Sequence, residues 1–192
     1  MVAGCGDSRE SAAARDPARD GAAMSPAAYD RWRQPDRVVA AIEVSAGQRV
    51  ADVGAGRGYF TLRLARAVGP RGRVTATDID ERALAALRGL VVPEGAPIEV
   101  RRVEAADPGL EAGAYDRVLL AQVDHYLDDR VDYLHRLRGA LAPGGRIAVS
   151  NRVQHRAGLL RDAAAAGYTV VGDHDLPGQF IVLLAPASEA RK

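Results

Sequence analysis

From Pro26 onward the apolar positions of the chain recur at two alternating periods. Arg49-Val50-Ala51-Asp52-Val53, Arg73 to Asp78, Ile98 to Val103, Asp116 to Leu120 and Arg146 to Ser150 read as strands. Between them lie runs with helical spacing. Pro35-Asp36-Arg37-Val38-Val39-Ala40-Ala41-Ile42 carries proline in its first turn. Tyr59 to Val68 places Phe60, Leu62, Leu64 and Val68 among small residues, and Asp80 to Arg88 follows the second strand. Asp129 to Leu141 repeats Val131, Leu134, Leu137, Arg138 and Leu141, and Ala157 to Ala166 is the last helix. Gly54 to Gly58, Gly69-Pro70-Arg71-Gly72 and Pro143-Gly144-Gly145 punctuate the series as turns. Strands alternating with helices of about ten residues predict a parallel sheet with helices on both faces. Tyr168 to Val171 and Gln179 to Leu184 have no helix between them, only the predicted turn Gly172 to Gly178, so they are expected to pair antiparallel.

Length and composition narrow this picture. The 192 residues make one domain and a short extension. With 47% hydrophobic and 27% charged residues the chain can bury a core, which excludes global disorder. Residues 1–24 lack apolar periodicity and are expected to be a disordered tail, with the domain over 25–192. A net charge of +1 builds no strong field, and 5% aromatics argue against a stacking platform, so no nucleic-acid partner is expected. One cysteine excludes an internal disulfide framework and a Cys-rich zinc site. No run of about 18 apolar residues spans a membrane. Val2-Ala3-Gly4-Cys5 fits a bacterial lipoprotein cleavage box, yet only Met1 precedes it, where a signal needs a basic segment and an apolar stretch. The expected location is cytoplasmic, with a membrane-tethered lipoprotein as the alternative if the true start lies upstream of Cys5.

The strongest chemical signal is Asp52-Val53-Gly54-Ala55-Gly56-Arg57-Gly58-Tyr59-Phe60, which follows a strand and opens a helix. Ligands of doubly wound sheets bind at such strand ends, where glycines let backbone approach closely. A dinucleotide asks for G-x-G-x-x-G, and counted from Gly54 the last position is Tyr59. That ring disfavours a dehydrogenase. With its third glycine at Gly58, the turn leaves room for an uncharged thioether or sulfonium chain. Asp78, ending the second strand in Thr75-Ala76-Thr77-Asp78-Ile79-Asp80, is placed to accept from both ribose hydroxyls, and Asp80 fits a helix N-cap better. Asp52 is read as lining the site, or as a satisfied turn carboxylate. In Glu104-Ala105-Ala106-Asp107 the alanines make a flat wall for a purine and Asp107 can accept from an exocyclic amine, unless it forms an Asx turn before Pro108.

These motifs, with Tyr115-Asp116-Arg117-Val118-Leu119-Leu120 and Leu141-Ala142-Pro143-Gly144-Gly145-Arg146, fall in the order found in class I S-adenosylmethionine-dependent methyltransferases, which the chain resembles from Pro35 to Pro186. The resemblance implies an α/β, Rossmann-like three-layer sandwich. Its sheet is seven-stranded and mostly parallel, in the order 3-2-1-4-5-7-6, with strand 7 antiparallel. It implies S-adenosyl-L-methionine as cofactor, with Gly54, Gly56 and Gly58 flanking the methionine part, Asp78 on the ribose and Ala106-Asp107 at the adenine. The set expected to meet the cofactor is Asp52, Gly54, Gly56, Gly58, Tyr59, Asp78, Ile79, Ala106, Asp107 and Gln122.

Methyl transfer from a sulfonium is an in-line displacement, so the protein mostly aligns the reactants, and a base is needed only for a protonated acceptor. Gln122, Asp124, His125 and Tyr126 follow the fourth strand and are the acceptor-side candidates. His125 and Tyr126 are the catalytic candidates, set against a packing role in the strand-to-helix turn. Related methyltransferases carry paired histidines near these positions, and Tyr126 departs from that. His135 reads as a surface or packing residue, Asp173-His174-Asp175 as a solvated turn, and no metal-ligand spacing connects the four histidines. Tyr29 to Pro35, with Trp32 between arginines, reads either as a partial lid over the cofactor or as a staple on the sheet's flank. The short Ser150–Ala157 connection implies an open acceptor site or one completed by a partner. The expected acceptor is a small molecule. The alternative reading is a non-catalytic cofactor-binding or interaction module that kept the fold.

Overall fold

The central predicted strands form because their alternating apolar residues pack against helices on the two faces of the sheet. The computed structural model describes residues 26–187, so the expected tail over residues 1–24 and the Cys5 box lie outside the described residues. Two units are present, residues 1–33 and 34–192. In the first, helix α1 (Pro26–Arg33) was not expected from periodicity. It is held by its own aromatic residues: the Tyr29 and Trp32 rings lie 5.9 Å apart, and the Arg33 guanidinium lies 5.4 Å and 5.3 Å from their centres.

The second unit runs α2 (Pro35–Ala41), β1 (Arg49–Val53), α3 (Thr61–Val68), β2 (Arg73–Asp78), α4 (Glu81–Ala85), β3 (Ile98–Arg102), β4 (Tyr115–Ala121), α5 (Arg130–Ala140), β5 (Leu141–Arg152), α6 (Arg156–Ala165), β6 (Tyr168–Leu176) and β7 (Gln179–Pro186). The strands form one sheet in the order β3-β2-β1-β4-β5-β7-β6. The first five pair parallel, and β7 pairs antiparallel with both β5 and β6. This is the expected Rossmann-like sheet, with the direction of connection reversing between β1 and β4.

Alternation along the strands builds two cores. Ala51, Val53, Val118, Leu120, Ile147 and Val149 face α5 and α6 through Leu134, Leu137 and Leu159. Val50, Leu119, Ala148 and Ile181 face α2 and α3 through Val38, Ile42, Leu64 and Val68. Nearly all of these side chains are fully buried, each worth roughly 1.5–3 kcal/mol of transfer free energy for the larger aliphatics. Asp80 and Asp129 cap α4 and α5, their carboxylates accepting from the Arg82 and Asp132 amides at 2.9 Å.

Two local expectations are corrected. Pro143-Gly144-Gly145 does not break the chain before β5. It is absorbed as a bulge, with Tyr115 opposite Leu141 and Arg117 opposite Arg146. A β-carbon on Gly145 would stand 2.6 Å from the Tyr115 carbonyl oxygen, so glycine is required there. Asp173-His174-Asp175 is strand and not turn: β6 continues past an irregularity between Val170 and Gly172. The hairpin closes over Pro177-Gly178, with Gly178 at φ 71°. Arg156 explains the acidic pair, since its guanidinium reaches Asp173 and Asp175, alternate residues on one face. Among the described residues no helix is long and apolar enough to cross a membrane.

Candidate functional site

The glycine turn after β1 is tied to the end of β2. Gly54 and Ala55 donate their amides to the Thr77 carbonyl at 2.8 and 3.0 Å. Gly56 donates to Asp78 Oδ2 at 2.7 Å, and Asp80 donates to Asp78 Oδ1 at 2.9 Å. The three glycines have separate reasons. All take positive φ (70°, 55° and 85°). A β-carbon on Gly54 would meet Val123 at 2.3 Å, and one on Gly58 would meet Leu87 at 2.0 Å, whereas one on Gly56 would meet nothing within 4 Å. Gly54 therefore sets the approach to the β4 end, Gly58 sets packing toward Leu87, and Gly56 lies beside open space.

A cavity of about 420 Å³ lies at the carboxyl ends of β1, β2, β3 and β4. Val53, Gly54, Thr77, Asp78, Ile79, Val103, Glu104, Ala105, Val123, Tyr126, Leu127 and Tyr133 line it. A smaller depression of about 150 Å³ shares Ala105, Tyr126, Leu127 and Tyr133 with it and adds Ala106. Ile79 and Tyr126 are 57% and 67% exposed and so form an apolar rim. Thr77 is fully buried, and its hydroxyl oxygen has no hydrogen-bond partner among the described residues. Burial pushes the Tyr133 phenol well above its usual value, reinforced by Asp107, and keeps it protonated.

Of the residues singled out in the sequence, Gly54, Asp78, Ile79 and Tyr126 meet at the cavity, Gly56 lies beside it through its bond to Asp78, and Ala106 lines the neighbouring depression. Others stand apart from the lining. Asp52 is 2% exposed and accepts from the Thr61 hydroxyl at 2.6 Å, fastening the turn to α3. Gly58 is buried under Leu87. The Tyr59 ring packs edge-on to Phe60, with the Arg63 guanidinium 4.1 Å from its centre. Asp107 is exposed and accepts from the Gly109 amide at 2.9 Å, forming the Asx turn. Gln122, at φ 64°, donates to Gln179 Oε1 at 3.2 Å.

His125 and Tyr126 sit in a 3-10 turn, Asp124–Tyr126, with ring centres 4.0 Å apart. His125 is half-buried and stacks on His155 at 4.4 Å and 19°. Asp124 is fully buried and accepts from Arg130 Nη1 at 2.9 Å and Asn151 Nδ2 at 2.6 Å. Thr77, Val123, Leu127, Tyr133 and Asn151 carried no sequence signal. Tyr133 was the nearest to being readable, as an aromatic beside the Leu134 stripe in the first turn of α5.

A family model described as a methyltransferase domain matches residues 50–145. The tRNA U34 carboxymethyltransferase of Methylococcus capsulatus is 32% identical over 126 residues, 64% of this chain and 37% of that protein. Aklanonic acid methyltransferase DauC of Streptomyces sp. is 34% identical over 118 residues, 61% of this chain and 54% of that one. The chain thus spans about half or less of the length of these curated relatives. A SAM-dependent methyltransferase of Aquifex aeolicus has the same fold, with a TM-score of 0.74 at 21% identity, over 88% of this chain and 98% of the other.

Proposed function

The chain belongs to the class I S-adenosylmethionine-dependent methyltransferase family, and on that premise we propose that it transfers a methyl group to a small-molecule acceptor held at the rim of the β1–β4 cavity. Its cofactor is S-adenosylmethionine, and the residues present fit that group. A cavity of about 420 Å³ lies within the usual range for small ligands. Asp78 spends one lone pair of each oxygen on the Gly56 and Asp80 amides, which leaves a second on each for a pair of ribose hydroxyls. The buried Thr77 hydroxyl at the cavity wall wants a polar partner. Val53, Val103, Val123 and Leu127 offer apolar walls to a flat base. Asp78, pinned by two amides at the mouth of the cavity, is the observation that carries the reading.

When bound, the cofactor supplies a methyl group on a positively charged sulfur. The chain's own residues align and enclose. Gly54 lets the backbone approach the ligand, Asp78 fixes its orientation, and Val123 and Leu127 keep water from the reacting groups. Alignment of this kind contributes up to about 7–11 kcal/mol in favourable systems. Tyr126 and Ile79 at the rim, and the protonated Tyr133 phenol in the wall, present a mostly apolar surface with two phenolic donors to an acceptor. The apolar rim and the Streptomyces relative named for aklanonic acid support a small organic acceptor.

The test is transfer of radioactive methyl from S-adenosylmethionine in three separate mixtures: small phenols and carboxylic acids, bulk tRNA, and soluble protein extract. Label in the small-molecule fraction alone is expected. Label in tRNA or protein overturns the acceptor class, and no S-adenosylhomocysteine in any mixture overturns the activity.

A further inference from the structure

The turn after β4 contains a hydrogen-bond frame that decides the chemical state of His125. Asn151, fully buried at the end of β5, sits at its centre. Its Nδ2 donates to Asp124 Oδ1 at 2.6 Å and lies 2.9 Å from His125 Nδ1. Its Oδ1 accepts from the Arg152 amide at 2.7 Å. The outer partners orient the amide: an ion-paired carboxylate accepts and a backbone N–H donates. Nδ2 therefore points one hydrogen at Asp124 and the other at His125. A ring nitrogen facing an N–H has to accept, so Nδ1 bears no proton and the ring proton is on Nε2.

A second proton on the ring would set Nδ1–H against Nδ2–H. The surroundings act in the same sense. Burial, the stacked His155 ring, Arg152 and Arg130 all disfavour imidazolium, and Asp124 alone favours it. Arg130 and Asp162, paired at 3.1 Å, brace the frame from α5 and α6. Tyr126, the next residue, joins this frame to the cavity, its ring 4.0 Å from that of His125 and its side chain in the lining.

We propose that Asn151 holds His125 as a fixed Nε2–H donor to an oxygen of the methyl acceptor. The acceptor class is then an organic acid that arrives ionised, as a phenolate, enolate or carboxylate. This rests on the methyl-transfer reading of the adjoining cavity. The step balances without proton transfer to the protein. An acceptor lone pair forms the new bond to the methyl carbon, the carbon–sulfur bond breaks with its pair going to sulfur, and the anionic acceptor and cationic sulfonium both become neutral. His125 keeps its proton throughout, and Asn151 is a positioning residue.

The experiment is ring nitrogen NMR on histidine-labelled protein loaded with S-adenosylhomocysteine, with benzoate as the anionic probe and benzylammonium as the control. Between about pH 6 and 8 the wild-type His125 ring is expected to show bare Nδ1 and protonated Nε2. Asn151→Asp, whose carboxylate only accepts, is expected to move the proton to Nδ1. Benzoate should shift the Nε2–H resonance and benzylammonium should not. His125→Ala should weaken benzoate binding about tenfold, and His125→Gln, which carries an N–H near the same place, should recover most of it. A wild-type ring protonated on Nδ1, or a Nε2–H indifferent to benzoate, overturns the proposal even if both Asn151 and His125 variants fold poorly. Calorimetry on the same sample separates the two readings: a ring in the expected state with no uptake of S-adenosylhomocysteine overturns the methyl-acceptor assignment through the cofactor, not through His125.

Discussion

At single positions the site is a contest between glycine and its neighbours. Gly54 and Gly56 share positive φ, but only Gly54 faces a filled wall, the Val123 side chain. Gly54→Ala should therefore cost about 2–4 kcal/mol, strain plus overpacking, and Gly56→Ala only about 1 kcal/mol of strain. Urea denaturation of the two variants checks the order, and equal losses would contradict the packing account. The glycines and Asp78 were readable in the sequence because their roles are written in the backbone: a turn leaving a strand, and an acid ending the next one. Thr77 was not, since its value lies in a hydroxyl whose burial only the assembled sheet creates. Asn151 was not readable either, because its meaning depends on Asp124 and His125, 27 and 26 residues away.

At the scale of elements, capping and alternation made the helices and strands legible, and polar strands escaped. Strand β6 runs on through Asp173-His174-Asp175, whose composition reads as a turn; the partner that keeps it extended is Arg156, in another element. The Pro143-Gly145 bulge escaped for the same reason, since Tyr115 on the neighbouring strand supplies the constraint. Capping is local, and its worth can be forecast. Asp129→Ala removes the acceptor of the Asp132 amide at the start of α5 and should lower stability by about 0.5–2 kcal/mol in chemical denaturation. Asp129→Ser should restore most of it. A serine variant as unstable as the alanine would show that the carboxylate acts otherwise than as a cap.

At the scale of the whole molecule, the order of the strands brings four strand ends together at one cavity, and two buried phenols tie stability to alkaline pH. Burial raises both Tyr133 and Tyr168, the latter also donating to the Leu134 carbonyl at 2.9 Å. The folded chain therefore binds these protons more tightly than the unfolded one. Their contribution is complete below the unfolded value near pH 10 and is lost as pH rises beyond it. The urea midpoint should fall between about pH 9 and 11, less steeply in Tyr168→Phe, and an identical slope in the two proteins would contradict the assignment. The central claim is that the glycine turn and Asp78 form the seat of an adenosyl amino acid. Its most direct test is calorimetric titration of the chain and of Asp78→Ala with S-adenosylhomocysteine, with NAD as the control. The account predicts binding to the parent chain, a loss of about 1–3 kcal/mol in the variant and no heat from NAD. An unchanged affinity in Asp78→Ala, or uptake of NAD in preference, would contradict it.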